Sequence, residues 1–286
     1  MLGILAALTT ALCWAIAARL YRKLGDHFAA LSLNFWKGLL SLMVLLPLSL
    51  FYTDSSASYQ HILWLLLSGA IGIGIGDTCF FLALTKIGDR LSLLIAETLA
   101  PILTALFAIA WLQEWLSAQQ WLAIAVILFA VDAVLRLQPG AKVLQLSGVS
   151  FAALAALCQA IGAVISRDVL INSQIDAISG SSWRLIGGML LIITIMCTKR
   201  SRWLPIASGS IQPWLVLFVA TMIGTTASLY LQMLAFSYTK AAVVQTLLAT
   251  SVIISLVITK LSGELIPKGS WRWTLLALIG IGLLLV

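Results

Sequence analysis

The chain predicts an all-α integral membrane protein of ten transmembrane helices arranged as two inverted five-helix repeats. Three observations carry this. Of 286 residues, 62% are hydrophobic and only 9% are charged, against about 25% charged in soluble domains; the mean hydropathy is +1.08. Apolar runs follow one another with short polar breaks, each run near the roughly 20 residues that a bilayer core requires. The second half of the chain repeats the first at an offset of about 145–150 residues.

Reading apolar runs against polar breaks places spans at about 2–22, 30–52, 61–85, 90–112, 117–137, 147–169, 177–198, 212–236, 241–261 and 270–286. Ten helices account for nearly the whole chain and leave no stretch for a soluble domain. Most tryptophans, among them Trp64, Trp111, Trp115, Trp203, Trp214 and Trp271, fall near span ends, as an interfacial belt would. All four cysteines lie in apolar runs without CxxC spacing, which speaks against a disulfide framework or a zinc site. Neither a cofactor nor a metal is indicated. Residues 1–18 are apolar, and their cations follow rather than precede them, unlike a cleaved signal peptide.

The repeat is visible residue by residue. Ala11-Leu12-Cys13-Trp14-Ala15-Ile16 returns as Ala156-Leu157-Cys158-Gln159-Ala160-Ile161, with Gly3 matching Gly148 and Arg22 matching Arg167. Trp36-Lys37 returns as Trp183-Arg184, Trp64 as Trp214, Gly74 as Gly224, and Leu112-Gln113-Glu114 as Ser262-Gly263-Glu264. The units are residues 1–140 and 145–286. With five spans each, an odd number, the second enters the membrane from the opposite face, as in many secondary transporters.

Charge supports the inversion. Let side A be the face of the loops between spans 1–2, 3–4, 5–6, 7–8 and 9–10. It carries Arg19, Arg22, Lys23, Lys86, Arg90, Arg136, Lys142, Lys199, Arg200, Arg202, Lys260, Lys268 and Arg272 of the 17 cations, whereas side B has Arg167 and Lys240. The net charge of +7 is thus accounted for by helix-end cations, and no basic patch interleaved with aromatics suggests nucleic acid. Counted this way, side A is cytoplasmic and both termini lie outside.

The stretch 72–115 holds the sharpest chemistry. It reads as the end of one apolar helix, a charged turn at Lys86–Arg90, and a second helix carrying Pro101, an expected helix break. Asp77 and Glu97 lie 11 and 9 residues from Gly88, hence at a shared depth of about 13–17 Å. A carboxylate at such depth is costly and is usually kept for a proton, an ion or a substrate.

Together, Gly76-Asp77-Thr78-Cys79-Phe80-Phe81-Leu82-Ala83-Leu84, Ile87-Gly88-Asp89-Arg90, Leu99-Ala100-Pro101 and Leu112-Gln113-Glu114 resemble the EamA-type branch of the drug/metabolite transporter superfamily, over essentially the whole chain. The resemblance implies a central cavity lined mainly by spans 1–4 and 6–9, and export or exchange of small metabolites. It also implies cytoplasmic termini, opposite to the cation count. At the Pro101 position the second half has Ser251, a departure that weakens the expectation of a break there.

Candidate substrate- or proton-binding residues are Glu97, Asp77, Lys37, Arg184, Gln159, Gln232, Gln245, Trp14, Asn34, Trp36 and Trp183. Lys37 lies about eight residues into its span, at roughly 12 Å depth, within reach of the carboxylate level. Arg184, its repeat mate, has amides rather than acids at its depth, so it is expected to meet an anionic substrate group or backbone carbonyls. The tryptophans and amides are cavity-wall candidates. Glu114 and Glu264 read as helix-end residues.

Three functions compete. A secondary transporter of small metabolites, proton-coupled through Glu97 and Asp77, explains the duplication; no GxxxxGK[ST] loop suggests ATP drive. Gly74-Ile75-Gly76-Asp77 resembles the GxGD motif of intramembrane aspartyl proteases, which need a second carboxylate; the earlier acids, Asp26 and Asp54, fall in expected loops, and Asp132 comes later. A lipid or lipid-linked sugar flippase shares the fold logic. The expected setting is multi-pass, in the cell (inner) membrane, with lipid and a small solute as partners.

Overall fold

The computed structural model describes residues 1–24, 27–51, 58–137, 145–204, 211–263 and 269–285. The side chains of Arg22, Asp89 and Arg90, and residues Asp26, Asp54, Lys142, Glu264 and Lys268, lie outside the described residues.

Among the described residues all regular structure is helical: α1 (Leu2–Leu24), α2 (Ala30–Phe51), α3 (Tyr59–Gly69), α4 (Asp77–Leu112), α5 (Ala118–Leu137), α6 (Leu146–Asn172), α7 (Ala177–Thr198), α8 (Gln212–Thr221), α9 (Ser228–Tyr238), α10 (Ala241–Ala249), α11 (Ser251–Leu261) and α12 (Ser270–Leu285). Backbone groups in oil must be satisfied internally, which a helix does. Among the described residues nine helical stretches are long and apolar enough to cross a membrane, and Ser270–Leu284 is apolar but shorter.

Three irregularities interrupt the helices. Gly88, with φ 78° and ψ 171°, is the non-helical residue inside α4, at the charged turn; glycine adopts such angles without a Cβ clash. Single π-helical segments, Ala70–Gly76 and Met222–Ala227, join α3 to α4 and α8 to α9 at repeat-related places. Such segments often mark functional sites. The third differs from expectation. Pro101 sits inside α4 with no non-helical angle there, whereas the matching span of the second half, residues 241–261, has no proline and yet separates α10 from α11 at Thr250 (φ −66°, ψ −11°). The missing N–H of Pro101 still withdraws the helical donor from the Glu97 carbonyl, a loss that membrane helices tolerate.

Helix contacts follow the repeat. α1 packs on α8, the second π-segment, α9, α10 and α11, as α6 packs on α3, the first π-segment and α4; α2 meets α7, and α5 meets α12. The α3–α7 crossing is close enough to exclude side chains. A Cβ on Gly69 would lie 1.6 Å from the Arg184 carbonyl oxygen, and one on Gly187 would lie 1.9 Å from that of Leu66, the small-residue packing of membrane helices. Hydroxyls add interhelical bonds: Ser68 Oγ donates to Gly162 O at 2.7 Å and lies 2.8 Å from Ser166 Oγ. Asp176 caps α7 by accepting from the Ile178 and Ser179 N–H groups at 2.7 and 3.0 Å.

Candidate functional site

The crossing of α3 and α7 places Arg184 at the middle of the bundle. Its guanidinium lies where the Cβ atoms of Gly72 and Gly162 would come within 3.1 and 3.4 Å, so glycine on the first π-segment and on α6 makes its room. Arg184 is 1% exposed. Its Nη1 donates to Gln232 Oε1 at 3.4 Å and approaches Met233 Sδ at 3.9 Å.

Lys37 reaches the same place from α2. Its Nζ donates to Asp77 Oδ2 at 2.8 Å and sits 5.6 Å from the Phe81 ring centre. Side-chain exposures of 15% for Lys37 and 33% for Asp77 make this a largely enclosed ion pair.

Two cavities meet here. The first, about 150 Å³, is lined by Asn34, Lys37, Arg184 and Gln232 among others; the second, about 250 Å³, by Phe80, Glu97, Pro101, Gln245 and Ser251 among others. Trp14, Asp77 and Gln159 line both, so the repeat mates Trp14 and Gln159 stand with one carboxylate between the two spaces. The walls hold unpartnered groups: both amide atoms of Asn34, Arg184 Nε, Gln232 Nε2 and Gln245 Nε2. The Glu97 carboxyl makes no hydrogen bond or ion pair with a described residue, and Glu97 lines the second cavity.

Nine of the eleven candidate binding residues named from sequence line one or both cavities, as does Pro101. Two do not. The Trp36 indole N–H donates to Trp203 O at 2.8 Å and its ring stands edge-on to Trp214 at 4.9 Å, packing the side A ends of α2 and α8. Trp183 packs against the main apolar core.

One constellation escaped the sequence reading. Gln113, with φ 54° in the left-handed region, ends α4 and turns Glu114 inward. Glu114 Oε1 accepts from Arg167 Nε at 2.7 Å and Oε2 from the Ala241 N–H at 2.9 Å; Arg167 Nη1 also donates to Phe236 O. With side-chain exposures of 13% for Arg167 and 9% for Glu114, the pair ties α4, α6, α9 and α10 together at side B. The signal was in the repeat, which pairs Arg22 with Arg167 and Glu264 with Glu114.

Two of the carboxylates weighed for a protease dyad are held by cations: Asp77 pairs with Lys37, and Asp132 with Arg136 at 2.7 Å on α5. Among the described residues no cluster of metal-ligating side chains occurs.

A family model described as the EamA-like transporter family matches the chain twice, over residues 1–135 and 146–286. A crystal structure of a protein, whose description names no activity, superimposes with a TM-score of 0.82; it is 16% identical, over 99% of this chain and 96% of its own. At that identity the likeness concerns the fold alone. No curated protein matches.

Proposed function

Since the chain belongs to the EamA-like transporter family and is a multi-pass membrane protein built on two family repeats, we propose that it exports or exchanges a small metabolite by alternating access. The moving parts are two oppositely inserted five-span units, residues 1–140 and 145–286. Ten spans complete the pair when the shorter Ser270–Leu284 helix is counted. Exchange of helix partners under the repeat, with α1 on α8 mirrored by α6 on α3 and α1 on α9 by α6 on α4, supports this arrangement.

The observation that carries the proposal is the convergence of Lys37, Asp77 and Arg184, with unpartnered amides, on one cavity wall among the apolar helices. Intramembrane ions are rare and mark solute and proton pathways. Glu97 and Asp77 are the proton sites. A proton on Asp77 would release Lys37, changing the charge that the solute meets; Glu97 offers a second acceptor, its carboxyl without a partner among the described residues, in the adjoining cavity.

Flux into sealed proteoliposomes tests this. Amino acids, organic cations and nucleoside-like metabolites are compared with and without a pH gradient, first on the unaltered protein. The gradient-driven flux should vanish in Glu97→Gln while the protein remains monodisperse in detergent. Undiminished gradient-driven flux in that variant removes Glu97 from coupling, and no flux for any class removes the transport proposal.

A further inference from the structure

The first cavity has a surplus of positive charge and of hydrogen-bond donors. Lys37 and Arg184 both line it, whereas Asp77, the carboxylate on its wall, already accepts from Lys37 at 2.8 Å. Arg184 makes no ion pair of its own with a described residue, the nearby Asp77 being held by Lys37. Its longer contacts, 3.4 Å to Gln232 Oε1 and 3.9 Å to Met233 Sδ, use a single nitrogen, and its Nε has no partner at all. An unpaired charge kept from water is among the costliest features of a protein interior.

The amides beside it are set to donate. Gln232, 3% exposed, turns its oxygen toward the guanidinium, which leaves its unpartnered Nε2 as the free group. Asn34, fully buried on the same wall, has both amide atoms unpartnered. A ligand completing this wall must therefore bring acceptors and one negative charge. A guanidinium fork matches a planar or tetrahedral oxyanion better than any other partner.

The geometry points to a built oxyanion site: a carboxylate or phosphate monoester on the solute docks on Arg184 and takes further hydrogen bonds from Gln232 Nε2 and Asn34 Nδ2. The carried solutes are small organic anions. At about 150 Å³ the space is below the roughly 300–1,000 Å³ of sites for drug-sized ligands, so the anionic end fills it. The rest of the solute extends past Trp14 and Gln159, which the second cavity shares. This inference rests on the transport proposal and names the solute's chemistry.

The test uses matched ligands on the purified full chain in detergent, read as ligand-induced shifts of the unfolding midpoint over a concentration series. One set is butyrate, butyramide and butyl phosphate; the other is benzoate, benzamide and phenyl phosphate. In at least one set an acid should bind about 10- to 100-fold more tightly than its amide, as expected for hydrogen bonds to a charged group. Whether carboxylate or phosphate leads identifies the oxyanion. Arg184→Gln should abolish that preference and Arg184→Lys retain part of it. Gln232→Leu, which keeps the arginine, should weaken acid binding about 3- to 10-fold and decides the matter if Arg184→Gln does not fold. Amides binding as well as acids, an acid preference that survives Arg184→Gln, or no protection by any of the six compounds overturns the oxyanion site. If neutral or cationic solutes are nonetheless carried in proteoliposomes, transport stands while this inference falls; if nothing is carried, transport falls as well.

Discussion

Asp77→Asn removes the carboxylate that stands between two cations. The Lys37 ammonium then shares a cavity with Arg184 and has no acid partner on its wall. Removing one member of a fully buried pair costs about 3–5 kcal/mol. The Asp77 side chain is 33% exposed, and halving the figure for that exposure leaves about 1.5–2.5 kcal/mol. At about 2–4 °C per kcal/mol for chains of roughly this size, the purified variant should unfold about 3–10 °C below the unaltered protein in the same detergent. Lys37→Met, with Asp77 still near Arg184, should lose less. The double variant returns the cavity lining to one net positive charge, now on Arg184 alone, and should recover to within about 1 kcal/mol of the unaltered protein, a coupling typical of residues in contact. Thermal unfolding of the four proteins, followed by intrinsic fluorescence, measures this cycle. Losses in the two single variants that simply add, within about 0.5 kcal/mol, would refute the reasoning.

Other sites offer independent checks. Arg167→Gln leaves the 9%-exposed Glu114 with the Ala241 N–H but no cation; a loss of about 2–3 kcal/mol is expected in the same unfolding assay. Gly187→Val sets a Cβ where the Leu66 carbonyl oxygen lies 1.9 Å away, so the yield of monodisperse protein should collapse. Gly282→Ala, with nothing within 4 Å of the added Cβ, should leave that yield unchanged. Asp176→Ala removes the acceptor for two N–H groups at the start of α7 and should cost about 1 kcal/mol.

Much of this architecture was legible in the sequence because a bilayer imposes a simple grammar. Apolar length gave the helices, and the returning Ala-Leu-Cys and Trp-Lys/Trp-Arg patterns gave the duplication. Depth along a helix is also linear in sequence, which is why Lys37 could be matched to the carboxylate level before the 2.8 Å contact with Asp77 was seen. What sequence does not carry is azimuth. Trp36 and Trp183 sit one residue before the two cavity cations, and a step of one residue turns a side chain about 100° around the helix, away from the cavity and into packing. Helix breaks also followed context: α4 passes through Pro101, while Thr250, with no proline beside it, interrupts the matching helix. Glu114 looked like a solvated helix end because its partners, Arg167 on α6 and the Ala241 N–H on α10, are 53 and 127 residues away.

The central claim is that the space around Trp14, Asp77 and Gln159 opens to each membrane face in turn. Gln159 lines both cavities, which makes Gln159→Cys the direct probe, in a background where Cys13, Cys79, Cys158 and Cys197 are replaced by serine. A small membrane-impermeant thiol reagent is applied from one side or the other of sealed, uniformly oriented vesicles. Labelling from either face, with the balance between faces shifted by an imposed solute gradient, is the predicted result. A cysteine reached from one face under every gradient, or from neither, would contradict alternating access.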